Sequence, residues 1–120
     1  QFQLGQSATT KRTFTQNDLA TYASLAGIAQ QSNRVPGPLL GGMFSYLLGT
    51  TLPGRGTNYL KQRLEFPRLA FIGEELMATV EIVRLRPEKN LVNLRTTCTN
   101  ARGEIVCQGK ALVFVKDVEE

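Results

Sequence analysis

The sequence predicts an α+β domain in which a curved antiparallel sheet wraps around one central, almost wholly apolar helix. Two observations carry this. The second half of the chain reads as three consecutive long strands joined by tight turns, which is an antiparallel meander. The first half holds an apolar run, Leu39 to Leu48, in which Leu39, Leu40, Met43, Phe44, Leu47 and Leu48 cover most of a helix circumference. Such a helix is buried on nearly all sides. Sheet and helix must pack on each other to hide that surface. At 120 residues and 42% hydrophobic content, the chain suits a single domain over 1–120 with a substantial core.

The elements follow in order. Residues 1–9 read as a loose lead-in, and Lys11 to Thr13 as a short strand. Thr15 caps a helix, with Asp18 three residues on in an acidic variant of the capping box. Leu19, Tyr22, Ala23 and Ala26 give it one apolar face, and Gly27 is a natural stop. A short polar stretch, 28–34, leads to the Pro-Gly-Pro that opens the apolar helix. Proline is tolerated in a first helical turn because its missing N–H has no partner there anyway. Gly41, Gly42 and Ser45 form a small-residue stripe suited to close approach of a sheet, and Gly49 and Pro53 end the helix. Strands are expected over Asn58 to Phe66, Leu76 to Arg86, Leu91 to Thr99 and Ile105 to Val115. On the second, Leu76, Ala78, Val80 and Ile82 alternate against Thr79 and Glu81. On the third, Val92, Leu94, Thr96 and Cys98 share one face. P-E-K-N and N-A-R-G read as hairpin turns, where Asn90 and Gly103 tolerate positive φ. The final K-D-V-E-E reads as a frayed end.

Charge and composition exclude several classes. The net charge is +4, but the basic residues are scattered, so nucleic acid is not an expected partner. The uncharged span from Val35 to Gly54 is broken by prolines and glycines, and its continuous apolar part is too short for a bilayer. No signal peptide is read, and no membrane association is expected. Cys98 and Cys107 lack metal spacing and read as buried free thiols of a reducing, cytoplasmic setting; a hairpin disulfide is not signalled. No metal or redox cofactor is implied.

Several motifs then stand in a fixed order. Leu52-Pro53-Gly54-Arg55-Gly56-Thr57 with Tyr59-Leu60 comes first, followed by Gly73-Glu74-Glu75-Leu76-Met77-Ala78-Thr79-Val80-Glu81. Leu94-Arg95-Thr96-Thr97-Cys98-Thr99-Asn100 and Gly109-Lys110-Ala111 follow. Thr13-Phe14-Thr15, Asp18-Leu19 and Leu25-Ala26-Gly27 complete the set. This arrangement resembles the MaoC-like hot-dog family over nearly the full chain, and within it the (R)-specific enoyl-CoA hydratases. The resemblance implies a hot-dog fold, a homodimer, and reversible addition of water to a trans-2-enoyl-CoA thioester. It also implies that the backbone N–H of Gly37, at the start of the central helix, holds the thioester carbonyl oxygen; a plain turn glycine between two prolines is the equally open reading of the residue itself. Helix N-termini suit this, having unpaired donors and a positive dipole end. Ser45 matches a serine that the family often places near the catalytic loop; packing against the sheet is the plainer role. Arg55, Lys61 and Arg63 are candidates for the CoA phosphates, against the plainer reading of solvated strand charges.

One part of the resemblance fails. The family's catalytic loop reads G-D-x-N-P-x-H directly after the first helix, and its Asp and His activate water and deliver a proton. Here Gly27 is followed by Ile28-Ala29-Gln30-Gln31, and no Asp, Glu or His occurs from Leu19 to Leu64. The stretch to Gly37 is also roughly a dozen residues too short for that motif and the segment after it. No catalytic residue is therefore identifiable, since tyrosines and cysteines such as Tyr22, Tyr46, Tyr59, Cys98 and Cys107 are poor replacements for an Asp/His pair unless something nearby activates them, and nothing in the sequence does. A hot-dog thioesterase would place an Asp or Glu near the central helix, and none is present. Two main readings stay open. One is a hydratase whose loop belongs to the natural polypeptide beyond these 120 residues. The other is a non-catalytic hot-dog that binds acyl-CoA or serves as a structural subunit.

Overall fold

Period-two burial along the long strands decides which face of the sheet becomes the core. In a computed structural model, which describes residues 2–27, 33–54 and 57–115, the chain runs β1 (Ser7–Thr13), α1 (Gln16–Ala26), α2 (Gly37–Thr50), β2 (Thr57–Glu65), β3 (Glu75–Arg86), a 3-10 turn (Pro87–Lys89), β4 (Leu91–Thr99) and β5 (Ile105–Val115). The strands form a 5-stranded sheet in the order β1-β3-β4-β5-β2. Every neighbouring pair is antiparallel. Leu76, Ala78, Val80 and Ile82 of β3 and Val92, Leu94, Thr96 and Cys98 of β4 are all fully buried. All of these except the polar Thr96 form one core cluster with Leu40, Met43, Phe44, Leu47 and Leu48 of α2. The α+β arrangement of a sheet around an apolar helix is thus the observed one.

One local expectation is corrected. Ser7 to Thr9 are not a loose lead-in, because β1 pairs with β3 from Ser7↔Glu81 to Thr13↔Glu75. The strand is polar, so cross-strand backbone bonding rather than apolar alternation holds it. P-E-K-N is the expected hairpin connection, joining β3 to β4 at Arg86↔Leu91; it takes the form of a 3-10 turn closed by Asn90, whose φ of 56° lies in the left-handed region. In the other turn, Asn100 Oδ1 accepts from the N–H groups of Arg102 and Glu104, both at 3.0 Å. The terminal residues 116–120, and 28–32 of the polar connection, lie outside the described residues.

Helix α1 starts as its sequence predicts. Thr15 Oγ1 accepts from Asp18 N–H at 3.2 Å, and Thr15 N–H donates to Asp18 Oδ2 at 2.8 Å. The Thr15 backbone N–H holds the Asp18 carboxyl below the usual carboxylate range, with the Thr15 hydroxyl and Arg12 adding to this. Edge strand β2 lies hard against β5. A Cβ on Gly109 would overlap the Arg63 carbonyl oxygen, so only glycine permits this approach. No helix among the described residues is long and apolar enough to cross a membrane.

Candidate functional site

The central helix begins without a side-chain cap. Its N-cap is Pro36, which makes no side-chain hydrogen bond, and the first turn holds no acidic residue. Leu39 and Leu40 N–H both donate to the Pro36 carbonyl, at 3.1 and 3.4 Å. Pro38 has no N–H to offer. That leaves the Gly37 N–H as the unpaired donor of the first turn among the described residues. It stands at the positive end of a 14-residue helix.

A groove of about 470 Å³ runs from this point along α2. Gly37, Gly41, Gly42 and Ser45 form one wall, and Gln62, Leu64 and Phe66 form the other. The glycines set its width. A Cβ on Gly37 would come within 3.0 Å of Phe66 Cζ, and one on Gly41 within 3.4 Å of Leu64 Cδ1. A Cβ on Gly42 would meet nothing within 4 Å. The small-residue stripe therefore does admit the sheet at Gly41, but mainly it leaves a trough between helix and strand. The floor is apolar. Its polar groups are the Gly37 N–H, Ser45 and Gln62. None of these exchanges a proton readily near neutral pH.

Gly37 and Ser45 thus come together. Lys61 and Arg63 do not join them. Strand alternation turns Gln62 and Leu64 toward α2 and Lys61 and Arg63 to the outer face. There they line a second cavity, of about 320 Å³, with Asn93, Lys110 and Leu112. Arg55 lies outside the described residues. The sequence reading missed Gln62, Leu64 and Phe66 as a groove wall and Lys110 as a companion of Arg63. Period-two alternation along β2 could have separated the two faces. The pairing with Lys110 depends on a register that sequence alone does not display.

The two cysteines face each other across β4 and β5, Cys98 opposite Cys107. Both are free and buried. Burial, with the neighbouring Cys107, pushes the Cys98 thiol up to about 12, and burial pushes Cys107 up to about 11. Neither supplies a thiolate nucleophile near neutral pH.

A sheet curled around one helix, with an unpaired donor at that helix's start and an apolar trough beside it, defines a hot-dog domain. Comparison with known proteins makes the assignment specific. No protein-family model matches the chain. It is 38% identical to the (R)-specific enoyl-CoA hydratase of Rhodospirillum rubrum, over 92% of this chain and 86% of that one. Among solved structures, it superposes on the (R)-hydratase of Aeromonas caviae involved in PHA biosynthesis with a TM-score of 0.87 at 33% identity, covering 95% of this chain and 97% of the other. The R-hydratase PhaJ1 of Pseudomonas aeruginosa gives a TM-score of 0.88 at 28% identity, covering 99% and 88%. The chain belongs to the (R)-specific enoyl-CoA hydratase family. Its alignment with the Rhodospirillum protein runs over 125 residues yet uses 92% of 120 residues here, about 110, so about fifteen positions of that relative have no counterpart in this chain.

Proposed function

We propose that the protein is an enoyl-CoA hydratase acting reversibly on trans-2-enoyl-CoA thioesters, and that its water-activating Asp/His loop follows Gly27 in residues additional to these 120. The observation that carries the reading is the free Gly37 N–H at the head of an apolar groove, in a chain of this family. In it, the thioester carbonyl accepts from Gly37 N–H, the acyl chain lies between α2 and β2, and Ser45 and Gln62 hold polar atoms beside it. The Gly37 donor polarises the carbonyl and takes up charge as the enolate forms, a contribution of about 10²–10³ in rate. A positioned acid or base adds about 10²–10⁴ each, and these 120 residues offer neither in the groove. The missing positions are of the length that such a loop occupies. We further propose that the chain is a homodimeric single domain acting in a reducing, cytoplasmic setting, where Cys98 and Cys107 stay as thiols.

The second reading rests on the absence of Asp, Glu and His from Leu19 to Leu64. If no loop exists, the same groove binds acyl-CoA without chemistry. One preparation decides between them. Hydration of crotonyl-CoA is followed by loss of enoyl absorbance, and the same sample is weighed by intact mass spectrometry. Turnover of about 1–10³ s⁻¹, with a mass above 13.2 kDa, is the expected result. Thioester binding without turnover at the 13.2 kDa mass sinks the hydratase in favour of a binding protein.

A further inference from the structure

We infer that the outer face of the sheet carries a binding site for a phosphate group, centred on Arg63 and Lys110 and flanked by Lys61 and Asn93. The strand register carries the inference. Arg63 stands opposite Lys110, Lys110 opposite Arg95, and Arg95 opposite Glu81. Four adjacent strands thus align three cations in one row, ended by one carboxylate. Like charges directly opposed across antiparallel strands destabilise a sheet. Glu81 answers Arg95 at 3.1 Å. Nothing answers the others: among the described residues, Lys61, Arg63 and Lys110 have no carboxylate within ion-pair distance. Glu65, further along the same face of β2, stands opposite Gln108 and pairs with no cation among the described residues.

The row borders the outer cavity of about 320 Å³, which has room for a phosphate group. Asn93 adds a directed donor. Its Oδ1 accepts from Arg86 Nη2 at 2.9 Å, which leaves its NH₂ for another acceptor. A guanidinium fork, two ammonium groups and an amide donor around one hollow match the oxygens and charge of a phosphate ester. The site lies on the face of the sheet opposite the Gly37 groove and does not depend on the hydratase reading. Two sources share this chemistry: the phosphates of a CoA whose acyl end occupies the groove, or a separate phosphorylated molecule.

The test is calorimetric titration of the whole protein with inorganic pyrophosphate and with 3′,5′-adenosine bisphosphate at low salt. It compares wild type, the pair Arg63→Gln/Lys110→Gln, and a charge-matched control, Lys11→Gln/Lys89→Gln. Saturable binding is expected, weakened about 10-fold or more in the first pair and within about 2-fold of wild type in the control. Melting supplies an independent readout. Without ligand the Arg63/Lys110 pair should melt above wild type, because the like-charge row is relieved. Pyrophosphate should raise the wild-type Tm and leave that variant's unchanged. No saturable binding, or equal loss in both pairs, overturns the site and reduces it to net charge. Crotonyl-CoA distinguishes the sources. Binding that weakens in the variant and competes with pyrophosphate assigns the site to CoA's own phosphates. Unaltered binding without competition assigns it to a separate ligand.

Discussion

Gly37 offers a backbone donor and no side chain, so two substitutions separate its donor role from its space-filling role. Alanine and proline both place a Cβ against the Phe66 ring, which is half exposed and free to give way. Only proline removes the N–H. It is tolerated at the first helical position, and Pro36 before it already has an extended ψ of 148°. We therefore expect Gly37→Pro to fold, and to lose about 10²–10³ in kcat/KM for crotonyl-CoA relative to Gly37→Ala. Equal values for the two would remove the N–H from the mechanism. Gly109 sits at the opposite extreme, because its would-be neighbour is backbone that cannot move without parting β2 from β5. Gly109→Ala should cost about 3 kcal/mol or more of unfolding free energy, read from denaturant melts. Cys98 and Cys107 make a pH statement. Their folded pKa values, about 12 and about 11, lie above the ordinary thiol value of 9.0. An unfolded chain loses these protons first as pH rises, so the stability they contribute is intact below pH 9 and lost progressively from there to about pH 12. Native protein at pH 8 should resist iodoacetamide at both cysteines, while denatured protein labels at both. Rapid native labelling would contradict the burial.

Helix α1 depends on its first turn, since an 11-residue helix is marginal without caps and packing. Thr15→Ala should cost about 1 kcal/mol, and Thr15→Ser should restore most of it. A loss of equal size in both would locate the effect in packing rather than in the cap. Asp18 completes the box with a lowered pKa, so its contribution is present at neutral pH and lost as pH falls below the usual carboxylate range. This element was legible because its determinants are local: Thr15, Asp18 and Gly27 act within one helix. The bounds of β4 and β5 were legible for a similar reason, since turn residues frame both and β4 alternates strictly. Ser7 to Thr9 escaped because no apolar pattern marks a polar edge strand; pairing with Thr79 to Glu81, about seventy residues away, creates it. The candidate site divides along the same line. Gly37 and Ser45 were picked through the resemblance that their own segment carries. The wall of Gln62, Leu64 and Phe66 comes from how β2 curls over α2. The row of Arg63, Lys110 and Arg95 comes from register across three strands, and local sequence encodes neither.

At the scale of the whole molecule, an open sheet leaves two edges, β1 and β2. Exposed edges invite pairing with another chain unless they are blunted. Polar residues dominate β1, whose Lys11 and Arg12 are tied to Glu75 and Asp18. Strand β2 differs. Leu60, in the register irregularity between Tyr59 and Lys61, is 56% exposed. Phe66, Leu69 and Phe71, just beyond the strand, are 49%, 54% and 41% exposed. A two-fold pairing of β2 with β2 of a second copy would satisfy the free backbone groups and cover Leu60. It would also bring Lys61 and Arg63 of both copies near one dyad, so phosphate should favour the dimer. Light scattering is expected to give twice the single-chain mass found by intact mass spectrometry, with Leu60→Asp shifting it toward the monomer. Pyrophosphate should strengthen the wild-type dimer and have less effect on Arg63→Gln/Lys110→Gln. A wild-type monomer at tens of micromolar would rule out edge pairing. A dimer indifferent to Leu60→Asp would move the interface away from β2, leaving the groove and the outer phosphate site to be explained within one chain.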